Sequence, residues 1–154
     1  MTEPNVTFRY GHAAEAGPLE ELQRRASLEW EEYRADLLAN PDAIQLPLSQ
    51  LTEKLVRVAE MDGRTVGFSV VVPKPGGVSD LDGLFVEPAY WGKGIGRKLI
   101  ADAIELARRQ SASSLEVVGN PRARGFYERC GFVEFGIIAT RFGPGIQMRH
   151  RIGE

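Results

Sequence analysis

The sequence predicts an α+β fold on a mixed sheet, and three observations carry that expectation. Apolar residues recur at helical steps in two separate stretches, Leu19 to Leu37 and Ile95 to Leu106. Two runs that alternate like strands, KLVRVAE and RTVGFSVVV, meet at Asp62-Gly63, a pair suited to a tight hairpin. Along the chain the elements come in the order β-α-β-β-β-α-β-α-β-β, with strands on both sides of single helices.

The first strand is VTFRY, Val6 to Tyr10. After it Leu19, Leu22, Ala26, Trp30, Tyr33 and Leu37 mark one face of a helix or of two abutting helices, with Pro18 suited to a first turn. The opposite face is charged and reads as solvated. NPDAIQLPLSQ, with two prolines, reads as a loop or a broken helical turn. In the hairpin that follows, Val66, Phe68, Val70 and Val72 alternate on one face. PKPGG is a turn, and VSDLDGLFV supplies the next strand.

Ile95, Leu99, Ala103 and Leu106 then form the buried side of an amphipathic helix ending near Gln110. SLEVV is a short apolar strand. Asn120-Pro121 opens another helix as cap and first-turn residue, and Gly131 closes it. FVEFGIIATRF and IQMRHRI are the last strands, around GPG.

Composition narrows the function. A chain of 154 residues, 43% hydrophobic, holds one well-packed domain, expected over 1–154. Against 21 acidic residues stand 19 basic ones, a net charge of −2, which gives no bulk field for nucleic acid or an anionic membrane. Neither is an expected partner. A single cysteine, Cys130, leaves no internal disulfide and fits a reducing compartment. The start, MTEPNVTFRYGH, lacks a basic-then-apolar signal region, and no apolar run approaches a bilayer's thickness. A cytoplasmic protein is expected.

The segment PAYWGKGIGRKLI raises the chemical question. It sets Gly92, Gly94 and Gly96 between a strand and a helix. Glycine weakens both elements, so such a cluster needs a reason. A strand, a glycine turn and a helix make an anion site, because the first helical N–H groups lack partners and the helix dipole is positive there. Lys93, Arg97 and Lys98 add charge. The other reading is a tight turn that needs glycine only for its dihedrals. No G-x-x-x-x-G-K-[ST] loop is present. The dinucleotide fingerprint G-x-G-x-x-G fails too, since its third glycine falls at Arg97 or Leu99.

LDGLFVEPAYWGKGIGRKLI resembles the acetyl-CoA-binding motif of the GNAT superfamily of N-acetyltransferases, L-x-V-x-P followed by [RQ]-x-x-G-x-[GA] and an apolar helix. Leu84, Val86 and Pro88 match the first part, Gly94 and Gly96 the second. Trp91 departs from the pattern, standing where it prefers Arg or Gln. NPRARGFYERCGF resembles the family's later motif through Asn120, Ala123, Phe126, Tyr127, Gly131 and Phe132. Motif-level likeness runs from Asp80 to Phe132.

The resemblance implies a central mixed sheet flanked by about four helices. It implies acetyl-CoA as cosubstrate, an amine as acceptor, no metal, and a monomer or homodimer. It implies that the amides of Gly92, Lys93, Gly94, Ile95, Gly96 and Arg97 hold the CoA pyrophosphate. The pantetheine would lie along backbone groups of Leu84, Phe85 and Val86, with Asn120 also contacting it. Tyr127 would protonate the departing sulfur. Asp80 stands where histone-type members carry a catalytic Glu, and Asp82 lies two residues on; either carboxylate also reads as a solvated strand residue.

Arg122 and Arg124 could meet a phosphate or simply face solvent, and Trp30, Tyr33, Glu29, Glu32 and Arg141 fall where the family shapes its acceptor groove. Cys130, with no histidine near it in sequence, is a poor nucleophile candidate. The expected activity is acetyl transfer to an amine; the alternative is a non-catalytic acyl-CoA-binding module.

Overall fold

The computed structural model describes residues 5–153. Strands run over Val6–Tyr10 (β1), Val56–Met61 (β2), Arg64–Lys74 (β3), Val78–Val86 (β4), Ser114–Gly119 (β5), Val133–Thr140 (β6) and Gly143–Arg151 (β7). Helices run over Ala16–Leu28 (α1), Glu31–Ala39 (α2), Leu48–Thr52 (α3), Ile95–Arg109 (α4) and Arg124–Arg129 (α5). The strands form one sheet in the order β1-β2-β3-β4-β5-β7-β6. The pairs β1/β2, β2/β3, β5/β7 and β6/β7 are antiparallel and β4/β5 is parallel, so the sheet is mixed as expected.

The chain divides into two compact units. One takes in the described residues up to Val70 with Gly83–Leu99; the other takes in Val71–Asp82 and the described residues from Ile100 on. The domain expected over 1–154 includes residues 1–4 and 154, which lie outside the described residues.

In the first unit the apolar stripe after β1 divides at Trp30, whose extended backbone (φ −85°, ψ 105°) separates α1 from α2. Leu19, Leu22, Ala26 and Leu37 are buried, each large side chain contributing about 1.5–3 kcal/mol when fully removed from water. The segment with two prolines contains a 3₁₀ turn at Pro41–Ala43 and the short α3, which accounts for a helix beyond the expected four. Asp62 (φ 53°) and Gly63 (φ 75°) are both left-handed, the backbone a type I′ hairpin turn demands.

The clean alternation expected for β3 does not hold. Val66 through Val71 are all buried, because β3 is an interior strand covered on both faces. Its pairing with β2 also jumps from Gly67 to Thr65, leaving Val66 as a bulged residue. Val66 joins Ala59, Ile95 and Leu99 in a buried cluster, against which Leu84 and Val86 pack. Gly67 is required by proximity: a Cβ there would lie 2.7 Å from the Phe85 carbonyl oxygen and 3.0 Å from Leu99.

Arg9 on β1 forks onto Glu15, with bonds of 2.8 and 2.7 Å, and also meets Glu60 at 3.2 Å. The His12 N–H adds a bond of 2.8 Å to Glu15. The Arg9 bonds hold the Glu15 carboxyl down at about 2, below its ordinary 4.5, with burial opposing and the His12 amide helping. A depressed carboxyl stabilises the fold above its unfolded value and loses that contribution as pH falls through the folded one. Glu15→Gln should therefore destabilise the protein by roughly 1 kcal/mol at neutral pH. Melting temperatures of variant and parent should converge between pH 4.5 and about 2, a window open to calorimetry.

In the second unit β5 pairs with β7 and β7 with β6, the latter pairing shifting register between Glu134 and Gly136. Gln110 bridges two of its strands, accepting from Ser79 Oγ at 2.6 Å and donating to the Val71 carbonyl at 3.0 Å. Helix α5 ends in a Schellman cap. Phe132 N–H bonds back to the Tyr127 carbonyl and Gly131 N–H to Glu128, with Gly131 at φ 92°. The rings of Tyr127 and Phe132 meet 5.5 Å apart, the apolar contact that accompanies such caps.

Candidate functional site

The glycine turn lies wholly in the first unit. Glu87 N–H bonds to the Val66 carbonyl at 2.8 Å, fixing the end of β4 against β3. Arg25 of α1 forks onto the Glu87 carboxylate at 2.8 and 3.0 Å. A 3₁₀ turn at Pro88–Tyr90 follows, then Gly92 and Gly94 at φ 81° and 80°. Helix α4 begins at Ile95, and Lys98 N–H makes its bond back to Gly94 O at 3.2 Å. The amides of Ile95, Gly96 and Arg97 therefore precede the first intrahelical donor.

The two readings of the glycines can now be weighed. A Cβ on Gly92 would meet nothing within 4 Å, and one on Gly94 only the Arg97 guanidinium at 3.8 Å. Crowding by the protein does not demand glycine at either place. The left-handed backbone does, and the space above it is open, so the turn suits an anion that reaches the amides. Lys93 and Arg97 are exposed beside it, whereas the Ile95 side chain is buried and offers only its N–H. Gly96 is the second residue of α4.

Along β4, backbone groups of successive residues face opposite edges. Glu87 N–H and the Phe85 carbonyl both face β3, which turns the backbone groups of Leu84 and Val86 to the other edge. The parallel ladder to β5 joins Val78, Ser79 and Asp80 to Ser114, Leu115 and Glu116. From Leu81 on, that edge of β4 has no ladder to β5 among the described residues.

A Cβ on Gly83 would touch the Phe85 ring at 2.9 Å, which puts those two residues on one face and accounts for a glycine inside β4.

The second unit holds the remaining candidates. Asp80 is half-buried and pairs in register with Glu116. Burial raises its carboxyl above the ordinary value; Lys74 pulls it down, while Asp82 and Glu116 push it further up. Asp82 is exposed. Tyr127 is buried, its ring so close to Gly119 that a Cβ there would lie 2.9 Å away. Burial first, and Cys130 second, raise its phenol well above the usual 10. Asn120 caps the turn before α5, its Oδ1 accepting from Arg122 N–H at 2.9 Å. Arg124 is held by Glu134 at 2.7 Å.

Of the expected acceptor residues, Trp30 and Tyr33 are half-buried and Glu29 and Glu32 exposed. Burial, then Glu32, raises the Tyr33 phenol. Arg141 lies over the Phe142 ring at 5.1 Å in the second unit. Cys130 is half-buried at the end of α5, and His150 Nδ1 lies 3.1 Å from the Gly131 carbonyl oxygen. No group of three or more metal-ligating side chains comes together among the described residues. No helix among them is long and apolar enough to cross a membrane.

Two features escape sequence reasoning. Trp91 reads in the sequence as a missing polar side chain, but its indole Nε1–H donates to the Val86 carbonyl at 2.7 Å. The Arg25–Glu87 fork joins residues 62 apart, and no local pattern announces it.

Comparisons with known proteins agree with the geometry. The sequence model of the Acetyltransferase (GNAT) family matches residues 19–132. An uncharacterized N-acetyltransferase of Methanocaldococcus jannaschii is 34% identical over 92 residues, 53% of this chain and 40% of that protein. A glucosamine 6-phosphate N-acetyltransferase of Trypanosoma brucei brucei is 32% identical over 76 residues, 46% of this chain and 52% of that one. The chain thus spans about half the length, or less, of these curated relatives. In fold it is similar to the PaiA N-acetyltransferase of Thermoplasma acidophilum, solved with coenzyme A. The TM-score is 0.75 at 18% identity, covering 96% of this chain and 99% of that one.

Proposed function

Because the chain belongs to the acetyltransferase (GNAT) family, we propose that it is an N-acetyltransferase moving the acetyl group of acetyl-CoA to a primary amine. The observation that carries this reading is the open, left-handed turn at Gly92 and Gly94 leading into the amides that precede the first intrahelical donor of α4. The residues present fit the cosubstrate. Amides from Gly92 to Arg97 take its pyrophosphate, with Lys93 and Arg97 adding charge, and the outward edge of β4 at Leu84 and Val86 takes its pantetheine amides. Asn120, whose Oδ1 accepts from Arg122 N–H, is the position at which the family motif contacts the pantetheine. Acetyl-CoA supplies the activated thioester.

The chain's own groups handle the protons. A lysine-like amine with pKa about 10.4 is neutral in only roughly one molecule in a few thousand at pH 7, so a proton acceptor matters. Asp80 is that acceptor, through water; its raised pKa moves it toward the operating pH, where a general base works best. Tyr127 is the donor to the departing sulfur, and its raised pKa keeps the phenol protonated throughout the neutral range. A backbone N–H near Phe85 or Val86 is suited to the carbonyl oxygen as it gains charge. A cytoplasmic setting fits the single cysteine.

The test is thiol release from acetyl-CoA over a panel of amines: glucosamine 6-phosphate, polyamines, aminoglycosides, and peptides with free N-termini or lysines. Amine-dependent release is expected with at least one. Coenzyme A binding without release from any amine would assign the chain to the non-catalytic alternative.

A further inference from the structure

The bond from Trp91 Nε1–H to the Val86 carbonyl occupies the edge of β4 turned away from β3. That edge is the one the proposed transferase needs for the pantetheine, and Val86 O is its last acceptor before the glycine turn. The indole therefore supplies, from five residues along the chain, the donor that a cofactor amide would otherwise supply.

Its surroundings suit a group that moves. Trp91 is 43% exposed, so part of its ring already faces solvent. Trp30 lies beside it, ring centroids 6.4 Å apart at 50°, an aromatic wall along which the indole can shift without entering bulk water. Its backbone N–H is anchored separately, to Pro88 O at 3.1 Å, so the ring can swing while the turn keeps its shape.

We propose that Trp91 is a cofactor-displaced cap: its indole N–H closes the Val86 carbonyl in the free protein, and pantetheine binding replaces that bond. This rests on the transferase reading, and its consequence is distinct. The cap competes with the cofactor's arm and leaves the pyrophosphate end untouched.

The cap is tested in the wild-type protein by the solvent-exchange rate of the Trp91 indole proton, measured by NMR and assigned with Trp30→Phe. Saturating coenzyme A should speed exchange at least tenfold, while ADP, which has a diphosphate and no pantetheine, should leave the proton protected. Trp91→Phe keeps a ring and removes the donor, and should tighten coenzyme A about three- to tenfold in calorimetry, with ADP affinity unchanged. An indole that stays protected with coenzyme A bound would overturn the cap, as would a folded Trp91→Phe protein with equal or weaker affinity. Both results leave the transferase reading standing. Failure of wild-type protein to bind coenzyme A at all would overturn that reading and the cap with it.

Discussion

Gly96→Glu should abolish coenzyme A binding in a protein that folds as well as its parent. Gly96 is the second residue of α4, ahead of the first intrahelical donor. A carboxylate in a helix's first turn interacts favourably with the dipole, by about 0.3–1 kcal/mol, and glutamate is a better helix former than glycine. The substitution therefore favours the helix while placing a negative charge where the pyrophosphate should sit. The expected outcome is a loss of affinity of more than about a hundredfold, or roughly 2.7 kcal/mol, by titration calorimetry. The melting temperature of the unliganded protein should be equal or higher. Retained affinity in that folded variant would remove the turn from the site.

The second large effect is expected at Tyr127. Tyr127→Phe removes one oxygen and keeps the ring that packs on Gly119, Phe126 and Phe132. Folding and coenzyme A affinity should change by no more than about twofold, since the pyrophosphate and pantetheine contacts do not use the phenol, whose proposed role is confined to the departing sulfur. Turnover should fall about a hundredfold or more, the usual contribution of a positioned general acid. Pre-steady-state measurement, where acetyl transfer itself is observed, is the decisive readout. Unchanged transfer there would reduce Tyr127 to a packing residue.

These two positions differ in how they became visible. The glycine turn was legible because its requirement is local: φ of 81° and 80° at Gly92 and Gly94 belongs to residues that tolerate it without a neighbour's help. The same holds for Asp62-Gly63 in the hairpin and Gly131 at the end of α5, both expected from the sequence and both left-handed. The division of the first helical stripe was open in the sequence, because its apolar periodicity is nearly continuous across the break at Trp30. The β3 alternation failed because burial on both faces erases the period of two on which it relies.

Around the candidate site the sequence was least informative where one strand edge had to be told from another. Leu84, Phe85 and Val86 are equivalent as letters, yet the Phe85 carbonyl faces β3 while the Val86 carbonyl meets the Trp91 indole. Which edge a backbone group takes depends on the strand's register, which is not written in the composition of β4. The half-burial that raises the Asp80 carboxyl is likewise invisible until Glu116 is placed opposite it.

By itself, then, the amino-acid order determined the order of the strands, the helix at Ile95 and the left-handed turns, which follow from dihedral preferences and periodicities that act within a few residues. The family resemblance rests instead on two motifs, around Gly94 and Tyr127. Only the tertiary structure decided that Arg25 holds Glu87, that Val66 bulges, and that Trp91 closes the outer edge of β4. Such contacts depend on which surfaces remain after the chain has packed, and packing couples residues whose separation in sequence carries no signal of their meeting.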